Sequence, residues 1–248
     1  MLKNIFLKIE YLGTNYFGFQ LQNKKDIKEN SVQEALEGAL FKLYKKKIRI
    51  TYASRTDRGV HAGGQAINFK IDSQIPLRNI KSGLNAFLPQ DIRVKSVKIV
   101  PADFHARFWA KSKIYRYIIL NREDASVFWE NFAWHRPRVL DLVAMRRVAR
   151  ELMGKKDFSL FAKEERSYND CTRCIKAITL RKKGSLVHVD IEANGFLRNM
   201  ARNIVSFLVA IGEGRITVDE ALSVLERKRH YHNKPAPACG LYLMKVKY

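Results

Sequence analysis

Two stretches of alternating apolar and polar residues enclose a short loop with an acidic residue between two arginines. Residues 48–52 (IRITY) and 66–71 (AINFKI) alternate with a period of two, as half-buried strands do. The loop between them contains Arg55, Asp57 and Arg58. We expect a rigid sheet to present Asp57 on this loop, where the flanking guanidiniums favour an ionised carboxylate. Such a carboxylate can act as a nucleophile or bind a cation, although an Asp before Arg-Gly is also a common turn residue.

The net charge of the chain limits the kind of partner. Lysine and arginine number 46 and acidic residues 24, which gives a formal net charge of +22 over 248 residues. A protein this basic attracts polyanions, so nucleic acid is the first expected partner and an anionic membrane surface the second. Aromatic residues adjoin basic ones at 107–111 and 115–117. This mixture is found on base-stacking surfaces and also in cores beside long cationic side chains.

Composition also indicates the compartment. Hydrophobic residues make up 46% of the chain, enough for one large domain or two small ones. No apolar run approaches the roughly 20 residues that cross a bilayer, and the first residues do not resemble a signal peptide. We therefore expect a cytoplasmic protein with no membrane association.

The cysteines do not predict a metal site. Three cysteines fit a reducing compartment without a disulfide framework. Cys171 and Cys174 form an isolated pair, and zinc would need two further ligands. His230 and His232 are distant in sequence and lack finger-like spacing. The pair is best interpreted as ordinary thiols, and no metal is expected.

The remaining patterns predict an α+β fold. Strands are predicted at 3–11, 48–53, 65–71, 92–100, 111–120, 175–182, 186–193 and 240–247. Helices are predicted after capping boxes at Ser31 and Thr217, at 78–87, from Asp141 to a stop at Gly154, and at 196–211. Few connections are long helical crossovers, so most strand pairs should be antiparallel. We expect a boundary near 101–110, between an N-terminal subdomain 1–105 with the Asp57 loop and a C-terminal subdomain 106–248.

Six segments resemble, in order, the motifs of the tRNA pseudouridine synthase A family. They are 11–20 (YLGTNYFGFQ), 53–62 (ASRTDRGVHA), 103–108 (DFHARF), 115–117 (YRY), 194–204 (NGFLRNMARNI) and 240–243 (GLYL). Three positions depart from the family pattern. Leu12 replaces a usual acidic residue, Ser54 a usual glycine, and Arg58 a residue that is often small.

The resemblance implies a fold and a reaction. The fold has two related α/β subdomains with a continuous, mostly antiparallel central sheet flanked by helices, a catalytic cleft between them, and usually a homodimeric assembly. The reaction breaks the bond between uracil N1 and ribose C1′, turns the base and rejoins it through C5. No atom is gained or lost, so no cofactor or metal is required. The implied substrate is tRNA, at uridines 38, 39 and 40 of the anticodon stem-loop, with the target base flipped out.

The resemblance also assigns three catalytic residues. Asp57 is the nucleophile. Tyr115 stacks on the target uracil and is a candidate proton acceptor, and Arg202 pairs with Asp57. Arg198, one helical turn before Arg202, is at best a phosphate contact. Without the family context, Tyr115 is equally typical of a packed strand and Arg202 of a solvated helix face.

A second group of residues is expected to bind the substrate. It comprises Arg55, Arg58, His61, Arg107 and Leu243. The arginines are candidates for phosphate contacts, and the leucine aligns with an apolar residue of the family's pocket. The histidine is better suited to a structural hydrogen bond than to general base catalysis. Lys24 and Lys25 are expected on a polar loop that touches RNA.

Two other classes of function are compatible with the composition. A non-catalytic basic RNA-binding or chaperone protein would keep its full function after Asp57→Asn. A hydrolase with an acidic nucleophile would act on a small anionic substrate and would usually need a metal. No Asp/Glu cluster accompanies Asp57 in the sequence. The full set of motifs therefore favours the isomerase.

Overall fold

The computed structural model describes residues 1–21, 30–163, 168–229, 231 and 234–248. These residues form two compact units, Met1–Lys111 with Tyr242–Tyr248, and Ser112–Leu241. The division follows Lys111, whereas the sequence predicted it after residue 105. The C-terminal segment belongs to the first unit because it pairs there with a strand, and because the Lys111 amide donates to the Lys247 carbonyl at 2.8 Å.

Ten strands and five α-helices are formed by the described residues. The strands are β1 (Leu2–Tyr11), β2 (Thr51–Tyr52), β3 (His61–Asp72), β4 (Ile92–Val100), β5 (Ser112–Asn121), β6 (Trp134–Arg136), β7 (Gly154–Asp157), β8 (Thr172–Lys183), β9 (Leu186–Ala193) and β10 (Leu241–Lys247). The helices are α1 (Val32–Tyr44), α2 (Leu77–Phe87), α3 (Leu142–Glu151), α4 (Met200–Gly212) and α5 (Val218–Leu225).

The first unit is a sheet in the order β4-β1-β3-β10, with β2 paired to β3. All of its pairs are antiparallel except β3 with β10. Helices α1 and α2 pack on each other, and α2 packs on β4. Most side chains of β1 and β3 are buried, and the apolar residues of α1 and α2 supply the rest of this core. This packing makes β3 a rigid support for the loop that precedes it.

The second unit is a sheet in the order β5-β9-β8-β7, with β6 parallel to β5 and the other pairs antiparallel. Helix α4 packs on β5, and α3 packs on α4, α5 and β8. Nearly every residue of α4 is buried, which makes it the central helix of this unit. Its burial fixes the direction of the few polar side chains that it carries.

The predicted α+β class and the prevalence of antiparallel pairs are confirmed. Several predicted boundaries were wrong, such as the start of β3, which lies at His61 and not at residue 65, and two others have local reasons. The strand predicted from residue 48 pairs only at Thr51–Tyr52, because the Ile50 amide donates to the Glu37 side chain at 3.3 Å. The helix predicted from residue 196 begins at Met200, because Asn199 adopts a left-handed conformation with φ 62°. Strands β6 and β7 were not predicted, since both are short and partly or fully exposed.

None of the described helices is long and apolar enough to span a bilayer.

Candidate active site

The Asp57 loop is clamped by the segment that follows β1. The Phe19 amide donates to the Thr56 carbonyl at 3.0 Å, and the hydroxyls of Tyr11 and Thr56 lie 2.8 Å apart. The Gly13 amide donates to Nδ1 of His61 at 3.0 Å. These bonds hold Thr56, the residue before Asp57, and the start of β3 after it. The motif at residues 11–20 therefore supports the motif at residues 53–62.

Two glycines of the same segment touch the backbone of the loop. A Cβ on Gly18 would lie 2.8 Å from the Thr56 carbonyl oxygen and 3.3 Å from the Arg58 amide nitrogen. A Cβ on Gly13 would lie 2.1 Å from the Val60 carbonyl oxygen. Gly18 also has φ +96°, a conformation that L side chains rarely adopt. Only glycine at these positions allows the two segments to approach so closely.

The other side of the loop is joined to β3 by a glutamine. The buried Gln65 side chain accepts from the Ser54 amide at 3.3 Å and donates to the Ser54 carbonyl at 2.7 Å. The Val60 amide donates to the Asp57 carbonyl at 3.1 Å, which closes a turn at Gly59 with φ 77°. The main chain on both sides of Asp57 is thus held by hydrogen bonds, as a preorganised site requires.

Cationic side chains surround this turn. Asp57 is half-buried, whereas Arg55 and Arg58 are exposed, and the Arg58 guanidinium lies 5.5 Å from the Phe17 ring centroid. Arg55 and Arg107 both act electrostatically on Tyr52: burial raises the pKa of the Tyr52 hydroxyl, and the two cations oppose that rise. Three of the arginines expected to bind phosphate therefore lie on the unit that carries Asp57.

His61 and Leu243 have a supporting position. Both side chains are fully buried at 0% exposure. The His61 ring stacks on Tyr242 at 4.7 Å between centroids, and Leu243 pairs with Ala62 across β10 and β3. The His61 ring accepts the structural hydrogen bond from the Gly13 amide, and its contact with the substrate stays a prediction. Leu243 is a core residue of β10, the strand that pairs with β3.

In the second unit, Tyr115 lies on β5 with only 5% of its surface exposed. The edge of its ring contacts Phe196, with centroids 4.8 Å apart and planes at 76°. Phe196 belongs to the segment before α4, so two of the motifs meet at this tyrosine. Tyr115 is therefore a packed residue of the sheet in this structure.

Arg202 lies on the first turn of α4 and is held by the segment before β10. Its Nε donates to the Ala236 carbonyl at 2.6 Å, and the Ala236 amide donates to the Arg202 carbonyl at 3.3 Å. Tyr117 fixes that segment by donating its hydroxyl to the Pro237 carbonyl at 2.7 Å. A Cβ on Gly240 would lie 2.6 Å from the Tyr117 ring. The guanidinium is thus oriented by its surroundings and is only half-buried.

The predicted site residues divide between the two units. Asp57 and the whole substrate-binding group lie in the first unit, whereas Tyr115 and Arg202 lie in the second. The pairing of Arg202 with Asp57 and the base stacking of Tyr115 stay predictions. Arg198 is exposed, as a phosphate contact requires.

The described residues contain no group of three His, Cys, Asp or Glu side chains that could hold a metal ion. Cys171, Cys174 and Cys239 are all of intermediate exposure. The predicted contacts of Lys24 and Lys25 with RNA, and the histidines weighed as zinc ligands, lie outside the described residues.

Sequence reasoning missed the residues that support the site. They are Tyr11, Gly13, Gly18, Gln65 and Tyr117. Two of them are glycines in a segment rich in aromatic residues, a pattern that is typical of close backbone approach. That signal indicates a contact but does not name its partner, because the partner lies some 40 residues further along the chain.

Comparison with known proteins identifies the family of the chain. A family model described as tRNA pseudouridine synthase matches residues 8–109 and 148–248. The chain is 40% identical over 248 residues to tRNA pseudouridine synthase A of Thermoanaerobacter sp. (strain X514), with full coverage of both chains. It is 40% identical over 242 residues to the protein of that name from Halalkalibacterium halodurans, covering 97% of this chain and 90% of that one. These matches confirm the resemblance seen in the motifs, and the chain belongs to the tRNA pseudouridine synthase family.

Proposed function

We propose that this isomerase acts on uridines 38, 39 and 40 in the anticodon stem-loop of tRNA, with Asp57 as its nucleophile. The observation that carries the proposal is the Asp57 loop. Its main chain is hydrogen-bonded on both sides while the carboxylate stays half-buried among exposed arginines. A nucleophile needs this combination of fixed position and access, and the arginines suit the phosphates beside the target nucleotide.

The reaction conserves atoms and electrons. The bond between N1 and C1′ breaks, a bond between C5 and C1′ forms, and the proton that leaves C5 is balanced by one gained at N1. The Asp57 carboxylate attacks either C6 of the base or C1′ of the sugar, and this bond breaks again before the product leaves. Tyr115 accepts the proton from C5. Arg202 holds the Asp57 carboxylate and the flipped nucleotide. We expect no metal or cofactor to take part.

Base flipping accounts for the basic surface. Extruding a stacked uridine costs a few kcal/mol, which contacts to phosphates on both sides of the target can offset. With a net charge of +22, we expect the affinity for tRNA to fall steeply as salt concentration rises.

The test is to incubate the protein with unmodified tRNA transcripts and to map pseudouridine by chemical labelling. We expect modification at the three anticodon-arm positions. Asp57→Asn should lower turnover by about 10⁴-fold or more while tRNA binding persists, because the cationic surface is untouched. Asp124→Asn is the matched control, since it removes an exposed carboxylate of the other unit and should leave turnover unchanged. Wild-type turnover in Asp57→Asn would refute the mechanism.

Tyr115→Phe separates two roles in the same assay. Loss of the hydroxyl removes the proton acceptor but keeps the ring, so turnover should fall more than affinity. Equal losses of turnover and affinity would leave Tyr115 with a stacking role only. No pseudouridine from the wild-type protein, together with tight tRNA binding, would favour a non-catalytic RNA-binding protein.

We further propose a cytoplasmic homodimer, as the resemblance to the family implies. Sedimentation velocity of the purified protein tests the assembly, and a monomer at micromolar concentration would contradict it.

A further inference from the structure

The first unit contains a basic groove that none of the predicted site residues lines. Its volume is about 520 Å³, and residues from three segments of the unit surround it. They are Lys46, Lys47, Ile48, Arg49, Thr51, Asn68, Phe69, Lys70, Ile71, Asp103, Phe104 and His105. Four of these carry a positive charge and one a negative charge, and we call this surface the lysine groove.

The cations of the groove are accessible to a ligand. Lys46, Lys47 and Lys70 are exposed. Arg49 pairs with Glu37 at 2.9 Å, but its side chain stays 75% exposed. Exposed cations that converge on a concave surface attract a chain of phosphates, because each phosphate releases counterions when it binds.

The walls of the groove are preformed. The buried Asn68 side chain donates to Asn4 Oδ1 at 3.0 Å and accepts from the Ala106 amide at 2.9 Å. Asn4 donates in turn to the carbonyls of Pro101 and Phe104 at 2.9 and 3.0 Å. This network ties the segment from Pro101 to Ala106 to β1 and β3, so a ligand does not need to order that wall when it binds.

An aromatic platform adjoins the groove. The rings of His105 and Phe108 lie 4.2 Å apart and are tilted by 30°, and Phe108 is 74% exposed. The Arg107 guanidinium lies 5.8 Å from the Phe108 centroid. An exposed ring beside cations is the arrangement on which unpaired bases stack, and its energy is similar for every base.

The Asp57 loop and the lysines of the groove lie near opposite ends of β3. The loop ends at His61, at the start of β3, whereas Asn68 and Lys70 lie near the other end of that strand. At about 3.3 Å per residue the two positions are roughly 20–30 Å apart. An RNA duplex rises on the order of 3 Å per base pair, so this distance corresponds to roughly seven to ten base pairs. At this distance Asn68 and Lys70 lie beyond the phosphates that directly flank the target uridine.

From this geometry we propose that the lysine groove is a second RNA-binding site, which binds the sugar–phosphate backbone of tRNA outside the anticodon stem-loop. Lys46, Lys47, Arg49 and Lys70 bind phosphates, and an unpaired base stacks on Phe108. The inference rests on the proposed function for its ligand. The inference adds that contact with the lysine groove makes the enzyme bind a whole tRNA more tightly than an isolated stem-loop.

The test compares two ligands, a full-length tRNA transcript and an isolated anticodon stem-loop of the same sequence. In Lys47→Gln/Lys70→Gln, we expect tRNA binding to weaken roughly 5- to 30-fold, as two modest ion pairs together imply. The slope of log affinity against log salt should fall by about 1.4–1.8, for two lost phosphate contacts. Stem-loop binding and kcat should stay unchanged, whereas KM for tRNA should rise.

Matched controls are available in the second unit. Lys182→Gln/Lys183→Gln removes two exposed charges from the end of β8, and we expect less than a twofold change in tRNA affinity. Phe108→Ala should weaken tRNA binding roughly 5-fold or more, whereas Phe128→Ala, which truncates a ring that is 83% exposed, should not. Circular dichroism and thermal unfolding verify that each variant is folded.

The outcomes distinguish this proposal from the proposed function. Equal weakening for tRNA and stem-loop, or no weakening for either, would overturn the second site. Lysine-dependent binding to anionic phospholipid vesicles with unchanged tRNA affinity would also overturn it. Asp57→Asn could keep its activity while the groove variants still lost only tRNA affinity. That result would refute the proposed role of Asp57 as nucleophile and would support the lysine groove as an RNA-binding site.

Discussion

Gly18→Ala tests whether the segment after β1 positions the nucleophile. The change adds one methyl group at φ +96°, 2.8 Å from the Thr56 carbonyl oxygen. A normal contact at that position begins near 3.4 Å, so the loop or the glycine must move by roughly 0.6 Å. The neighbouring atoms are backbone atoms of residues 56–58, and these cannot rotate away as a side chain can.

Two effects of this change have different magnitudes. The backbone conformation costs a non-glycine residue about 1–3 kcal/mol of folding stability. The displacement acts on catalysis, because misplacing a reacting group by about 1 Å costs on the order of 100-fold in rate. For a displacement of roughly 0.6 Å we therefore expect kcat to fall by roughly 10- to 30-fold, while tRNA affinity changes less than about threefold because every surface cation is retained.

Gly154→Ala separates the two effects. Gly154 has nearly the same backbone angle, φ +93°, but nothing lies within 4 Å of the position of its Cβ. This control should lose similar stability and keep full activity. The assay measures kcat on tRNA at a temperature where urea titration shows the wild type and both variants to be more than 95% folded. A free energy of unfolding of about 2 kcal/mol meets this condition. Wild-type kcat in Gly18→Ala, or an equal loss of kcat in Gly154→Ala, would refute the positioning argument.

Two further predictions concern the second unit. Tyr117→Phe should lower the free energy of unfolding by about 0.5–1.5 kcal/mol, because the partly buried hydrogen bond from the Tyr117 hydroxyl to the Pro237 carbonyl is lost. Tyr44→Phe is the control in urea denaturation. Among the described residues no partner bonds the buried Tyr44 hydroxyl, so its removal should leave stability unchanged or raise it. Equal losses of unfolding free energy in the two variants would contradict the role given to the Tyr117 hydrogen bond. Burial raises the pKa of Asp190, but hydrogen bonds from Arg116 and Arg181 at 2.7–2.9 Å lower it more, so the folded-state pKa lies below its usual value. The stability that this carboxylate contributes is therefore present above about pH 4 and is lost as the pH falls through the folded-state pKa. The difference in unfolding free energy between wild type and Asp190→Asn should therefore be smaller at pH 3 than at pH 7. A difference independent of pH would show that the charge of Asp190 is not responsible.

Local patterns predicted elements better than they predicted element ends. The capping box at Thr217 is formed as expected, with reciprocal bonds to Glu220. The start of α4 was missed because a left-handed Asn199 interrupts a sequence whose periodicity is helical from residue 196. The short pairing of β2 was missed because the backbone amide of Ile50 bonds the side chain of Glu37, 13 residues earlier. Periodicity reports burial, and it does not report which partner satisfies a backbone group.

The α+β class, the basic surface and the family can be predicted from the amino-acid sequence, because periodicity, charge and motif order are properties of residue types along the chain. The folded structure was needed to show that Gly13 and Gly18 contact the Asp57 loop, that His61 is a buried support, and that Tyr117 orients the segment bonded to Arg202. It was also needed to show that Lys47, Lys70 and His105 line one groove. These contacts join residues 23 to 120 positions apart, and their partners are selected by packing and hydrogen-bond geometry, which local sequence patterns do not contain.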